Sequence, residues 1–571
     1  MRILLLTHSF NSLTQRLYAE LREDGHELSV EFDINDAVAE EAVALFAPDL
    51  VLAPFLKRAV PEAIWRAHPT LIVHPGIVGD RGPSALDWAI MGGATEWGVT
   101  VLQAEAQMDA GPIWATRAFA LREATKASLY RSEVTDAALA AVREAIGRLA
   151  DWRAGTWRPT ALADWPEARG QWRELMRQAD RRIDWAADDT ATVLRKIRAA
   201  DGFPGVADAL FGAPCHLFDA RPAPGLGGAP GELIGRCDGA VLRATVDGAV
   251  WIGHVKRADS DPPFKLPATV AFEAEAATLP AIEADADIGY RESDDGQVGF
   301  LRFDFYNGAM STDQCRRLQA AIETAGRRPT RVLVLEGGAD FWSNGIHLNR
   351  IEAAASPADA SWANINAMDD VCLALLSLTD KLTVAALRGN AGAGGCFLAL
   401  AADRVWAREG VVLNPHYKNM GNLFGSEYWT YLLPRRVGEA RAQAIMADRL
   451  PLLARAAQRI GLIDACFGDT ADAFVAGVSR RAGALASDAD FAARLADKRT
   501  ARERDEAQRP LAAYREDELA HMQRNFFGFD PSYHVARYHF VAKTPQSWTP
   551  RHLARHRDIG WRVPEPAGEA R

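Results

Sequence analysis

The sequence predicts a multidomain α/β protein: a doubly wound sheet, a small β-barrel, and a second α/β domain ending in a helical tail. Three observations carry this. The chain has 571 residues, more than one hydrophobic core can organise. Short apolar runs alternate with amphipathic stretches in the first third and again after Gly299. Between them lies a block of short strands punctuated by the turns CDGA and VDGA.

In chain order, strands are expected at Ile3–Leu6, Leu28–Phe32, Leu50–Ala53, Leu71–Val73 and Val99–Leu102. Helices are expected at Thr14–Arg22, Asp36–Phe46 and Ser84–Met91. Trp152–Arg173 is rich in Trp, Pro and Arg without a period and reads as a linker or wrap. One helix, Thr190–Ala200, opens the barrel block Arg182–Ala258, and the acidic run Glu273–Asp287 closes it off. The last domain reads strand Gly299–Phe305, helix Thr312–Ala325, strand Arg331–Leu335, helix Ala363–Leu376, strand Leu382–Leu387, Gly-rich turn, helix. After Asp488 the chain is helical and charged, with an aromatic patch from Asn525 to Phe540. The linear division is therefore 1–170, 171–280 and 281–571.

Composition narrows the function classes. A net charge of -10 argues against a nucleic-acid partner. Six cysteines without a CxxC pair argue against a disulfide framework or a zinc ribbon. The opening MRILLLTHSF turns polar at Thr7, so it reads as a buried strand and not a signal peptide. No apolar stretch approaches a membrane span. A cytoplasmic enzyme acting on small molecules, away from membranes, is the expectation.

Two polar residues stand out in the first third. His74 ends a strand and meets Pro75-Gly76, and Asp109 sits in a Met-Asp-Ala-Gly turn. A carboxylate beside an imidazole raises its basicity and fixes its tautomer. Each residue alone could equally cap a strand or form an Asx turn. Together with Arg81-Gly82, Gly98-Val99-Thr100 and Asp109-Ala110-Gly111, in that order, they resemble the family of formyltransferases that use formyl-tetrahydrofolate. Arg182-Ile183-Asp184-Trp185 and Phe203-Pro204-Gly205 resemble that family's join to a barrel domain. The resemblance implies catalytic roles for His74 and Asp109, and folate contacts at Pro54, Phe55, Leu56, Ile72, Arg81 and Gly82. One departure is chemical. Ile72 stands where the family has a catalytic Asn, and losing an oxyanion donor costs about 100- to 1000-fold in rate. A thiol acceptor, more nucleophilic than an amine, offsets part of that loss.

In the last domain two segments dominate, Asp340–Leu348 and the Gly-rich Arg388–Phe397, the second running into an apolar helix. Glycines there let backbone N–H groups converge on a thioester oxygen. Tight packing of a helix on a sheet explains one such turn, but not both segments. Both resemble the crotonase superfamily, which binds acyl-coenzyme A and polarises its thioester between two amides. By position those amides belong to Ile346 and Gly394, with Ser343, Asn344 and Gly345 along the loop that meets coenzyme A. The two glutamates of the family's hydratases fall at Phe397 and His416, so hydration is not expected. Tyr417 and Glu427 are the proton-handling candidates. For Glu427 the bland alternative is a salt bridge to Arg435 or Arg436.

A formyltransferase-like half fused to a crotonase-like half resembles a family of nickel–iron hydrogenase maturation factors. That resemblance implies formyl transfer from formyl-tetrahydrofolate to coenzyme A, decarbonylation of formyl-coenzyme A to carbon monoxide, and hydrogenase maturation proteins as partners. Two alternatives stay open: a transferase or hydrolase ending in formate, and a coenzyme A-holding pseudoenzyme that docks on assembly proteins.

Overall fold

The computed structural model describes residues 1–166, 168–283 and 287–558. Residues 284–286 of the acidic run and the tail beyond 558 lie outside the described residues. The chain forms two compact units, Met1–Arg177 with the segment from Pro545, and Gln178–Thr544. The end of the tail thus joins the first unit, a grouping that the linear division at 170 and 280 does not express.

In the first unit six strands pair in the order β2-β1-β3-β4-β5-β6: β1 Arg2–Thr7, β2 Glu27–Phe32, β3 Leu50–Phe55, β4 Thr70–His74, β5 Glu96–Gln103 and β6 Ile113–Ala120. The first four are parallel, and β5 and β6 run antiparallel. Helices start where the sequence supplies caps: Asn11 accepts from Thr14 N–H and Asn35 from Val38 N–H. The chain crosses over β1 on its way from β2 to β3, so the sheet has its switch point beside the β3 end, where such folds gather ligands. Sequence reasoning missed the helix Thr135–Ala154, half of whose buried residues are alanine. That helix absorbs the start of the expected linker and ends at Gly155, whose φ of 72° closes the turn.

The returning tail covers the open edge of β2. Val30 N–H donates to Leu553 O at 3.0 Å, and Phe32 N–H to Thr549 Oγ1 at 2.8 Å. The fully buried Glu31 accepts from Thr549 Oγ1, from His556 Nε2 at 2.8 Å and from Arg557 Nε at 2.8 Å. An edge strand is otherwise a template for pairing with foreign chains. Burial alone would raise the Glu31 carboxyl, but those hydrogen bonds outweigh it and hold it below the usual range. A depressed carboxyl contributes stability above its unfolded value and loses it as pH falls through its folded one. His556→Ala removes the imidazole that bridges Ser29 Oγ and Glu31 Oε2, leaving Arg557 on that oxygen, and is expected to cost about 1–3 kcal/mol. The cost should appear as a lower midpoint at neutral pH and shrink in acid, read by thermal unfolding between neutral and acidic pH.

The second unit opens with an antiparallel sheet, β7 Val206–Leu210, β8 Ala213–Pro222, β9 Leu233–Cys237, β10 Ala240–Ala244, β11 Ala249–Arg257 and β12 Lys265–Pro267, ordered β7-β8-β11-β10-β9 with β12 on β11. The helix Thr190–Ala200 buries Val193, Leu194 and Ile197 against it. Two further sheets follow. The larger is β13 Ile288–Glu292, β14 Val298–Phe303, β15 Val332–Glu336, then β17 Leu382–Leu387, β19 Arg404–Ala407 and β22 Ala465–Cys466. The smaller joins β16 Phe341–Ser343, β18 Asn390–Gly392, β20 Val412–Asn414 and β21 Leu452–Leu453. Helices Thr312–Gly326 and Pro357–Leu376 pack on the same core as Phe303 and Trp342. The first carries a full capping box, Ser311 with Gln314.

Candidate active sites

In the first unit the site grows from the carboxyl end of β4. His74 is the last residue of that strand and is buried. The strand β5 runs against it, with Leu71 opposite Gln103 and His74 opposite Thr100. β5 therefore runs past His74 and ends opposite Leu71, and the loop that follows brings Asp109 back to the imidazole. Asp109 Oδ2 comes to 3.5 Å from His74 Nδ1 and accepts Gly82 N–H at 3.1 Å. The residue sits at φ 53°, a conformation Asp tolerates better than most. Sequence reasoning missed a third group. The buried Asp80 lies with Oδ1 3.0 Å from His74 Nε2, one residue before the Arg81-Gly82 pair that drew attention.

The loop that holds these groups is pinned from both sides. Thr100 Oγ1 donates to Gly76 O at 2.9 Å, and Arg173 N–H donates to Arg81 O at 3.0 Å. A Cβ on Gly76 would lie 2.3 Å from His74 Nε2, so glycine lets the loop cross the imidazole. Pro54 and Phe55 end β3, followed by Leu56, and Phe55 meets the rings of His8 and Tyr130 edge-on at 6.0 and 6.2 Å. Ile72 lies within β4, between Ala53 of β3 and Leu102 of β5. Its side chain offers no polar atom; Arg81 is held by the wrap 170–173, and the Gly82 N–H by Asp109.

In the second unit the parallel pairing of β16 and β18 sets two loops side by side, with Ser343 opposite Ala391. Gly345 takes φ 79°, and a Cβ placed there would lie 3.4 Å from Gly394 N. Gly395 abuts Ser343 so closely that its Cβ would lie 2.0 Å from Ser343 O. Ala393 precedes the helix Gly394–Leu400 and donates its N–H to Asn414 O at 2.9 Å. Among the described residues, the Ile346 and Gly394 N–H groups donate to no protein acceptor. Ser343 Oγ accepts Gly345 N–H at 3.1 Å, and Asn344 Nδ2 donates to Asn307 O at 2.8 Å.

Beside Gly394 stands an acid. Glu427 is buried, and its Oε1 lies 2.0 Å from where a Gly394 Cβ would be. Tyr417 Oη donates to Glu427 Oε2 at 2.5 Å, and the Tyr417 ring stacks on Phe397 at 5.4 Å and 14°. The bland alternative for Glu427 does not hold: Arg435 lies 3.5 Å from Asp505, and Arg436 lies 2.7 Å from Asp464. Burial, reinforced by the charge of Asp369, pushes the Glu427 carboxyl well above the usual range. Burial and the neighbouring Glu427 likewise raise the Tyr417 phenol. Sequence reasoning missed Asp369 and Glu518, both buried beside this turn.

Fold and site define a class: a formyltransferase-type unit continued by an enoyl-CoA hydratase-type unit. The family models agree. Formyl transferase matches residues 12–146, the formyl transferase C-terminal domain matches 175–263, and enoyl-CoA hydratase/isomerase matches 305–551. Hydrogenase maturation factor HoxX of Bradyrhizobium diazoefficiens is 57% identical over 98% of this chain and 97% of its own. HypX of Aquifex aeolicus, solved in complex with tetrahydrofolic acid, is 47% identical with a TM-score of 0.93, over 99% of this chain and 100% of that one. Methionyl-tRNA formyltransferase of Granulibacter bethesdensis is 30% identical over 31% of this chain and 52% of its own. The chain belongs to the HypX/HoxX family of hydrogenase maturation factors.

Proposed function

We propose that this chain makes carbon monoxide for nickel–iron hydrogenase maturation by two coupled reactions. In the first, the thiol of coenzyme A displaces tetrahydrofolate from formyl-tetrahydrofolate. The C–N bond breaks, a C–S bond forms, and the thiol proton ends on the folate nitrogen. With its Nε2–H directed at Asp80 Oδ1, His74 presents Nδ1 to accept that proton and pass it on, and Asp109 steadies the ring. A relative solved in complex with tetrahydrofolic acid supports folate binding by this chain, and the formyl transferase match over residues 12–146 supports placing it in this unit.

In the second reaction, formyl-coenzyme A becomes carbon monoxide and free thiol. The C–S bond breaks, the formyl hydrogen leaves carbon as a proton, and sulfur gains a proton. The Ile346 and Gly394 amides hold the carbonyl oxygen and make the formyl C–H more acidic. Glu427, protonated at rest, gives its proton to sulfur and takes the formyl proton in return, with Tyr417 holding its other oxygen. Phe397, stacked on Tyr417, keeps out the water that would yield formate. The observation that carries the reading is the buried Glu427–Tyr417 pair set against Gly394, with Phe397 where a hydratase needs a water-activating glutamate.

The purified chain given formyl-tetrahydrofolate should release carbon monoxide only when coenzyme A is added. Formate alone indicates a hydrolase. Tight coenzyme A retention without turnover indicates a holding protein. Gly394→Ala gives an independent check, because its Cβ would collide with the Glu427 carboxyl. Carbon monoxide release should fall about 100-fold while tetrahydrofolate formation persists, both followed in one reaction.

A further inference from the structure

The turn that carries Glu427 is strained. Gly425, Glu427 and Tyr428 have φ of 94°, 59° and 59°. Only glycine adopts such angles freely, and two successive side-chain-bearing residues there need outside support. Two buried carboxyls supply it. Asp369, on the helix Pro357–Leu376, accepts Glu427 N–H at 2.7 Å and the Ser426 hydroxyl at 2.8 Å. Glu518, on the helix Leu511–Phe527, accepts Tyr428 N–H at 2.9 Å, Thr430 N–H at 2.8 Å and the Thr430 hydroxyl at 2.5 Å. Every one of these bonds runs to the turn, and none joins the two helices.

Helix packing alone does not call for such residues. Burying a carboxyl is costly unless it is paired, and apolar side chains serve packing at less cost. Arg515 Nε lies 3.6 Å from Asp369 Oδ2, but the same guanidinium sits 2.7 Å from Asp370. Burial raises the Glu518 carboxyl to about 8.

We propose that Asp369 and Glu518 are positioning residues for carbon monoxide release: together they lock the 426–430 turn in its left-handed form and so aim Glu427 over Gly394. This rests on the decarbonylation reading given above. Without the clamp the turn relaxes toward ordinary backbone angles, and the Glu427 carboxyl leaves Tyr417 and the two amides.

The test uses the full chain with formyl-tetrahydrofolate and coenzyme A, following carbon monoxide and tetrahydrofolate together. Asp369→Ala removes the acceptor for Glu427 N–H and the Ser426 hydroxyl. Its kcat for carbon monoxide should fall roughly 100-fold, with KM for coenzyme A within about threefold and tetrahydrofolate formation retained. Asp369→Asn keeps an oxygen that can accept Glu427 N–H, and should recover most of the loss. A crystal structure of Asp369→Ala should place Glu427 beyond hydrogen-bond reach of Tyr417. A parental kcat in Asp369→Ala, or equal impairment of the Ala and Asn variants with the Tyr417–Glu427 bond intact, overturns the proposal. If Asp369→Ala does not fold, Ser426→Ala replaces it: a lowered kcat supports the clamp, and an unchanged one refutes it. If the parent chain releases no carbon monoxide, the decarbonylation reading fails, and the structure of the variant alone decides the clamp.

Discussion

Glu427→Gln is expected to abolish carbon monoxide release, by about 100- to 10,000-fold, while leaving tetrahydrofolate formation near the parental rate. Glutamine preserves the shape of the side chain and can still accept from Tyr417 Oη, which lies at 2.5 Å in the parent. What it loses is the proton cycle, because an amide neither protonates sulfur nor takes up the formyl proton. Tyr417→Phe should fall in the same direction by less, since it removes one partner of the carboxyl and leaves the carboxyl itself. The two products are separable in one experiment: trapped carbon monoxide reports the second reaction, and tetrahydrofolate the first. A Glu427→Gln chain that still releases carbon monoxide at the parental rate would remove Glu427 from the chemistry.

His74→Gln is the complementary case. Here tetrahydrofolate formation should fall by about 100- to 10,000-fold, and carbon monoxide with it. Supplying formyl-coenzyme A directly should then restore carbon monoxide release, because His74 belongs to the first unit and the acid pair to the second. Glutamine retains a polar group for Asp80, which limits the harm to folding that an unpartnered buried carboxylate would bring. Loss of both reactions, even with formyl-coenzyme A supplied, would mean that the substitution damages more than formyl transfer.

Much of this architecture was legible in the chain because its signals are local. Asp36–Phe46, Thr190–Ala200 and Leu382–Leu387 appear with the bounds that their periodicity predicts. His74 and Asp109 could be singled out because each sits at a strand end or turn and belongs to a recognisable order of motifs. Asp80 escaped although it adjoins the Arg81-Gly82 pair, because its meaning lies in a ring that the loop folds back upon. Asp369 escaped for another reason. Set with Asp370 between the buried Met368 and Val371 in one helix, it reads locally as part of a polar interruption, yet it caps a turn that arrives 58 positions later. Glu518 lies in a tail so charged that no single carboxylate stands out. The tail's return to β2 is longer still, with Ser29 meeting His556 across 527 positions, and no local pattern encodes such a pairing.

Formyl-tetrahydrofolate carrying carbon-13 in its formyl group tests the central claim most directly. With coenzyme A present, the label should leave as carbon monoxide, in proportion to the tetrahydrofolate formed. Label collecting in formate instead, with unlabelled or no carbon monoxide, would contradict it.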